Sequence, residues 1–379
     1  MKKVCFITYQ FKTGGVERIF IGISQHLNAQ ISLMTVTNNY DKIKKEIPNN
    51  VDFIDIHNKR MMRIIHHISN RIHLFKPLEI ICGIIYEILY IRFSSKYKDY
   101  IFVNFADTIS SLLVTYLSTG NKDKRFSWLH YNPKTINKSN YSGLYKYIYK
   151  KMHKIVCICQ EQKEIMKEVI PELKDDQLTV IYNIIDTKDI IKRKNETIPY
   201  TNKYILMVAR FDFRSKDFYT LINAYSELPV YIKKEYQLFL LGDGPDMEKV
   251  KTYINKKNEE KNIIMLGKDY NPYKWMDKAE ILILSSKSEG LPTVLIESMI
   301  CNTPVISTTC QTGPKEILKN GEYGILVPVG DSKALKESII ELLNNKQLQK
   351  TYIQKACENI YRFSPDSIIP KINDLWKNK

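Results

Sequence analysis

The sequence predicts an α/β protein built from two Rossmann-like halves. Apolar strand-like segments alternate with helix-like ones from the first residues onward, and the alternation restarts at Tyr204. A polar segment, 186–202, rich in Lys, Arg and Asn, separates the two series and is expected to be the connector. Strands that alternate with helices imply parallel sheets covered on both faces.

The first half opens with a strand over 3–9, a loop carrying Thr13-Gly14-Gly15, and a helix over 16–27. The apolar run after Lys3 stops at Thr8 and Gln10, too short for the apolar region of a signal peptide. Further strands are expected at 31–37, 100–105, 125–130, 155–159 and 178–182. Between them, 58–98 is a long basic and apolar stretch without strand signals, with eight Lys or Arg, two Glu and three His. Two readings stand for it: a surface that docks on anionic lipid, or a helical pair with a solvated cationic face. Its most apolar part, 77–91, is broken by Glu79 and Glu87, so it falls short of the ~18–20 uncharged residues of a membrane span.

In the second half, strands are expected at 204–209, 237–241, 263–266, 281–284, 304–307 and 325–327. Helices are expected among them at 217–228, 246–257, 293–300 and 332–343. Phe363-Ser364-Pro365 breaks a helix, and 367–376 then reads as an amphipathic one.

At 379 residues, 44% hydrophobic and 26% charged, the chain has the balance of a soluble globular protein with a core in each half. A cytoplasmic protein, soluble or peripheral on the inner face of the membrane, is expected. Seven scattered cysteines make no disulfide framework, and Cys157 and Cys159 lack partners at metal-site spacing. The net charge of +16 points to an anionic partner: phosphorylated substrate, anionic membrane surface or nucleic acid. No helix-turn-helix, zinc finger or aromatic strand platform is recognisable, so no nucleic-acid partner is expected.

Ligands of open α/β sheets bind at the carboxyl ends of the strands. The loop after 204–209 reads Arg210-Phe-Asp-Phe-Arg-Ser-Lys216, and an Arg fork with a Lys point charge can clamp a diphosphate. The next strand ends in Leu241-Gly242-Asp243-Gly244-Pro245, a tight turn into a helix. The strand 281–284 delivers Glu289, and Pro292 opens a helix carrying Glu297. Gly290, Leu291, Pro292, Thr293 and Val294 lie at that helix's N-terminus, where backbone N–H groups meet anions. The two carboxylates can accept hydrogen bonds from hydroxyls at two points of one ligand. No D-x-D triplet occurs.

Read in order, Gly14-Gly15-x-Glu17-Arg18, Ala209-Arg210…Lys216, Gly242-Asp243-Gly244-Pro245, Glu289-x7-Glu297 and Leu326-Val-Pro-Val-Gly330-Asp331 resemble glycosyltransferase family 4. These are retaining enzymes of the GT-B fold. The resemblance runs from near the first residue to the last helix and is most specific in the second half. It implies an acceptor-binding domain over 1–183, completed by 362–379, and a nucleotide-sugar-binding domain over 184–361. The two would face across a cleft, with the last helix crossing back to the first domain.

By resemblance, Arg210 and Lys216 bind the donor's diphosphate, Glu289 the donor sugar and Glu297 the nucleotide ribose. Gly14 and Gly15 let the first loop approach donor phosphates or acceptor, and Gly290 to Val294 line the donor. His130, in Trp128-Leu-His-Tyr-Asn132, sits where the family often places a sugar-contacting histidine; a local structural hydrogen bond is its other reading. Asn183 matches the domain-junction motif. Two departures stand out: the Arg-to-Lys interval is one residue longer than the commonest form, and Leu291 replaces a frequent Phe.

The implied enzyme needs no metal and no cofactor beyond its nucleotide-sugar substrate. Cys310-Gln-Thr-Gly313-Pro314-Lys-Glu316 resembles members using UDP-hexoses or UDP-N-acetylhexosamines, with GDP-mannose the nearest competitor. The expected acceptor is a saccharide or a polyprenyl-diphosphate-linked saccharide in bacterial surface polysaccharide synthesis, such as capsule or lipopolysaccharide. A catalytically silent partner subunit is the alternative.

Overall fold

The computed structural model describes residues 1–9, 14–36, 47–54, 85, 88–106 and 108–377. The chain divides into two units, Met1–Ile184 together with Ile369–Lys379, and Ile185–Ile368.

In the first unit the described strands are β1 (Lys3–Thr8), β2 (Gln30–Thr35), β3 (Val51–Phe53), β4 (Tyr100–Asn104), β5 (Arg125–Trp128), β6 (Lys154–Cys157) and β7 (Leu178–Val180). They form one parallel sheet in the order β3-β2-β1-β4-β5-β6-β7. β1 lies between β2 and β4 and is buried from Val4 onward, which is why its sequence is a continuous apolar run rather than an alternation. The strand order reverses between β1 and β4, and the chain leaving each heads towards the carboxyl edge of the sheet. There Phe6, Phe20 and Phe105 meet edge to face at 5.3–6.1 Å, and Trp128 joins Phe105 at 5.6 Å.

β3 was not foreseen. It is three residues long, Val51-Asp52-Phe53, and lies at the sheet edge, too short for a period to declare itself. The expected amphipathic end of the chain is the helix Pro365–Leu375. From Ile369 the chain belongs to the first unit, as expected of a last helix that crosses back. Trp376, buried, packs edge-on against Phe126 at 4.8 Å, and the Lys2 ammonium donates to the Trp376 carbonyl.

In the second unit β8 (Lys203–Val208), β9 (Tyr236–Leu241), β10 (Ile263–Gly267), β11 (Ile281–Leu284), β12 (Val305–Thr308) and β13 (Ile325–Val327) form a parallel sheet in the order β10-β9-β8-β11-β12-β13. This repeats the order of the first six strands of the other sheet, so β8 takes the place of β1 beside the reversal. Ile205, Leu238, Ile283 and Ile306 on the strands pack with Phe218, Leu221 and Tyr225 of the helix Phe218–Ser226 and with Ile339 and Leu342 of the helix Ser332–Asn344.

The expected connector at 186–202 is in part a helix. Thr187–Lys194 is helical, opened by the Asp186 carboxylate accepting from the N–H groups of Lys188 (3.0 Å) and Asp189 (3.1 Å). Its C-terminal cations are used within the unit: Arg193 donates to the Tyr270 carbonyl at 2.6 Å, and Lys194 pairs with Asp277 at 2.9 Å. The polar composition disguised a helix that buries only Ile190.

Most of the basic stretch 58–98 lies outside the described residues. In the part described, Ile85, Leu89, Tyr90 and Phe93 are exposed while Ile91 and Tyr97 are buried. Among the described residues no helix is long and apolar enough to cross a membrane.

Candidate active site

β8 ends at Val208 and hands the chain to Ala209 and Arg210; β9 beside it ends in Gly242-Asp243-Gly244-Pro245. The two loops lie backbone against backbone. A Cβ at Gly242 would stand 1.9 Å from the Ala209 carbonyl oxygen, and one at Gly244 2.4 Å from that of Phe211. Both glycines also have positive φ, 143° and 159°. Hydrogen bonds close the contact. Phe211 N–H donates to the Asp243 carbonyl at 2.8 Å, Asp246 N–H to the Phe211 carbonyl at 3.0 Å, and Phe213 N–H to the Asp246 carboxylate at 2.9 Å. What reads in sequence as a plain turn is therefore the clasp of the Arg210 loop.

Within the loop, Arg214 grips Asp212 in a fork, Nε to Oδ1 at 2.9 Å and Nη2 to Oδ2 at 2.5 Å. This bond pulls the Asp212 carboxyl down to about 2, against the opposing effect of its burial. Phe213 stacks on Tyr219 at 4.4 Å, fixing the outer side of the loop. Arg210 is exposed and makes no ion pair with a described residue.

Lys216 reaches across to the segment that follows β11, forming an antiparallel bridge with Ser286. Its ammonium pairs with Oε1 of Glu289, both side chains only 13% exposed. Ser286 Oγ donates to the same Oε1 at 2.6 Å. The Glu289 backbone is held too: its N–H donates to the Gln311 carbonyl at 2.8 Å, and its carbonyl accepts from Thr312 Oγ1 at 2.7 Å. Gly313, at φ 93°, packs so closely that a Cβ would lie 2.8 Å from Pro292 Cδ and 3.0 Å from the Gly290 carbonyl. The resemblance assigned Lys216 to phosphate and Glu289 to sugar; the structure joins the two in one ion pair.

Leu291 and Pro292 are buried, and Thr293 and Val294 form the half-buried first turn of the helix Thr293–Ile300, which has no side-chain N-cap. Glu297 lies on this helix, 8% exposed. Arg210, Lys216, Glu289, the run Gly290–Val294 and Glu297 thus all belong to the carboxyl edge of the second sheet.

The other expected residues belong to the first unit. Gly14 precedes the helix Gly15–His26, which also lacks a side-chain cap. Its φ of −164° is open to any residue, but a Cβ would meet Glu17 Oε2 at 2.8 Å, whereas one at Gly15 would meet nothing within 4 Å. Residues 10–13 of that loop lie outside those described. His130 follows β5, its ring 4.5 Å from Phe105 and both nitrogens shielded from solvent. Burial pushes its pKa down from 6.5 to about 3, so the imidazole is neutral at neutral pH.

Ser286, Gln311 and Thr312 escaped the sequence reading as site residues. For Ser286 a signal existed: it stands three residues before Glu289, a spacing at which a hydroxyl reaches a carboxylate across a turn. Gln311 acts through its carbonyl and Thr312 through its hydroxyl, both on the Glu289 backbone, contacts that no spacing encodes. Among the described residues no group of three His, Cys, Asp or Glu side chains is arranged to hold a metal.

Residues 188–359 match the family model described as glycosyl transferases group 1. The fold is that of a GT-B glycosyltransferase. The Anabaena protein HepE, solved in complex with UDP and glucose, superposes with a TM-score of 0.77 at 18% identity over 99% of both chains. An N-acetylgalactosaminyltransferase of Campylobacter jejuni that acts on a diphospho-undecaprenol-linked saccharide is 34% identical over 177 residues, 47% of each chain. The chain thus spans about half the length of that relative. A second transferase of that organism, an α-1,4-N-acetyl-D-galactosaminyltransferase acting on a related undecaprenol-linked saccharide, is 22% identical over 99% of this chain and 97% of its own.

Two outcomes are expected of these contacts. Gly242→Ala forces a Cβ into the Ala209 carbonyl at an unfavourable φ and should cost about 1–3 kcal/mol or more in chemical denaturation. Gly267→Ala, at φ 72° but with open space around it, carries only the backbone strain of about 1–2 kcal/mol. Equal losses at the two sites would refute the clasp.

For His130 the native pKa of about 3 lies below the unfolded 6.5, so between these values the unfolded chain binds more protons. Its contribution is then complete above pH 6.5 and is lost as pH falls towards 3, with a slope of at most about 1.4 kcal/mol per pH unit. His130→Gln should flatten the stability–pH curve over that window by this share. An unchanged slope would contradict the buried neutral imidazole.

Proposed function

We propose that the chain is a retaining glycosyltransferase, transferring a hexose or N-acetylhexosamine from a UDP-sugar to a saccharide or polyprenyl-diphosphate-linked saccharide in bacterial surface polysaccharide synthesis. The observation that carries this is the clasped loop bearing Arg210 and Lys216 beside the anchored Glu289 carboxylate. The glycosyl transferases group 1 match over 188–359 and the undecaprenol-linked substrates named for the two Campylobacter relatives support it.

In this reading the C1–O bond to the diphosphate breaks while a bond from C1 to the acceptor oxygen forms on the same face. The acceptor's proton passes to the departing diphosphate. Arg210 and Lys216 stabilise the charge growing on that leaving group, the term such transfers need most. Thr293 and Val294 offer backbone N–H groups at an uncapped helix start, and Gly290, Leu291 and Pro292 shape the turn before it. Glu289 receives a sugar hydroxyl and Glu297 the ribose. Gly14 and Gly15 leave room at the first unit's loop, and the neutral His130 ring is suited to hydrogen-bond a sugar hydroxyl rather than to hold charge. The two cations take the role a bound metal has in other transferases, so no cofactor enters the scheme.

A thermal-shift series with UDP, GDP and their sugar conjugates tests the donor. A ligand at about 100 times its dissociation constant adds about 2.7 kcal/mol to the folded state. UDP compounds should raise the melting temperature, and Arg210→Ala should abolish the rise. A response to GDP-mannose alone would replace the donor, and no response to any nucleotide would overturn the reading. With the responsive donor, the product anomer read by NMR should retain configuration and turnover should survive EDTA; inversion or loss would sink those two points.

The chain is further proposed to work at the inner face of the membrane, as a lipid-linked acceptor requires. Ile85, Leu89 and Phe93, the last 78% exposed, stand at four-residue intervals beside the exposed Arg92. In the helical segment 88–93 that spacing puts Leu89 and Phe93 on one helix face. Co-sedimentation with phosphatidylglycerol vesicles should exceed that with phosphatidylcholine and weaken in Phe93→Ser. Indifference to lipid charge and to the substitution would refute it.

A further inference from the structure

The Glu289 carboxylate is anchored at one oxygen only. Lys216 Nζ and Ser286 Oγ both bond Oε1, whereas Oε2 takes no hydrogen bond from a described residue. Ser286 is itself fixed from the other side. Its N–H donates to Thr308 Oγ1 at 3.0 Å, and that hydroxyl donates back to the Ser286 carbonyl at 2.7 Å. Thr308 ends β12, and Ser286 and Thr308 are 0% and 1% exposed. A rigid arm thus runs from the sheet through Thr308 and Ser286 to a single carboxylate oxygen.

Lys216 alone could not set that orientation. An ammonium is a point charge on a flexible stem and bonds either oxygen of a carboxylate equally well. The hydroxyl of Ser286, on a short side chain in a buried turn, reaches only one. We propose that Ser286 is a positioning residue for the donor sugar: by claiming Oε1 it turns Oε2 of Glu289 outward as the acceptor for a sugar hydroxyl. It also leaves Lys216 a partner that stays put when a diphosphate competes for the ammonium. This inference rests on the donor site proposed above and adds to it a residue that sets how much the sugar contributes to donor affinity.

Calorimetric titration of the full chain with UDP and with UDP-N-acetylgalactosamine, or whichever UDP-sugar the wild type takes, separates the possibilities. Ser286→Ala should weaken UDP-sugar binding about tenfold, the worth of one hydrogen bond to a charged group, while UDP alone changes by less than about twofold. Ser286→Thr, which keeps the hydroxyl, should recover most of the difference. In a Glu289→Ala background, which removes the carboxylate altogether, Ser286→Ala should have no further effect on the ratio of the two affinities. An equal loss for UDP and UDP-sugar would mean that Ser286 merely supports the fold and would overturn the proposal, as would an unchanged ratio. A wild-type chain that binds no nucleotide-sugar at all would instead remove the donor site, and this inference with it.

Discussion

At Gly242 and Gly244 the turn after β9 touches the loop after β8 backbone to backbone, closer than any side chain permits. The rest of the site follows from that contact. With Ala209 and Phe211 pinned by the turn, the chain must carry Arg210 over the carboxyl edge of β8 and return along it. Lys216 then falls opposite Ser286, on the continuation of β11, and its ammonium reaches Glu289. β8 neighbours both β9 and β11 in the sheet, so one strand's loop is held from both sides. Three loops that are far apart in sequence are thereby locked together by hydrogen bonds between main chains, which are insensitive to the identity of most side chains they carry.

The same economy appears around Glu289. Its N–H and carbonyl are used by Gln311 and Thr312, and its Oε1 by Ser286 and Lys216. Gly313 lets the 311–313 segment approach Gly290 and Pro292 within a distance a Cβ would forbid. A carboxylate positioned at so many points loses little freedom when a ligand arrives, so contact with a sugar hydroxyl need not be offset against ordering of the side chain.

The strands were legible because their physical signal is local. β1, β8 and β11 are buried on both faces and read as unbroken apolar runs, while Gly-Asp-Gly-Pro punctuates the end of β9. β3 and the helix Thr187–Lys194 were not, since the first is three residues long and the second buries one side chain. At the site, the types and order of Arg210, Lys216, Glu289 and Glu297 could be read, but the partnership of Lys216 with Glu289 could not. It depends on the antiparallel bridge at Ser286, which joins residues 70 apart in the chain. In the first unit Gly14 and Gly15 could be read as a loop before a helix, but a Cβ at Gly15 would meet nothing within 4 Å, so the packing there does not require that glycine.

The charges of the Arg210 loop are easily misjudged from composition. Four ionised side chains lie between 210 and 216, yet Asp212 and Arg214 satisfy each other, and Lys216 is taken by Glu289. Of these four, Arg210 alone has no ion-pair partner among the described residues, and it is exposed, lying in the field of Asp212, a carboxyl already held ionised by Arg214. An arriving diphosphate would therefore meet Arg210 first. Lys216 can be drawn to it only by sharing or leaving Glu289, and the geometry of that exchange is governed by whatever else holds Glu289 in place. The arrangement makes the two cations unequal: one exposed, the other 13% exposed and paired with the Glu289 carboxylate. In the proposed donor site, coupling of that kind would tie phosphate binding to sugar recognition, so a nucleotide lacking its sugar and one carrying it would leave Lys216 with different partners.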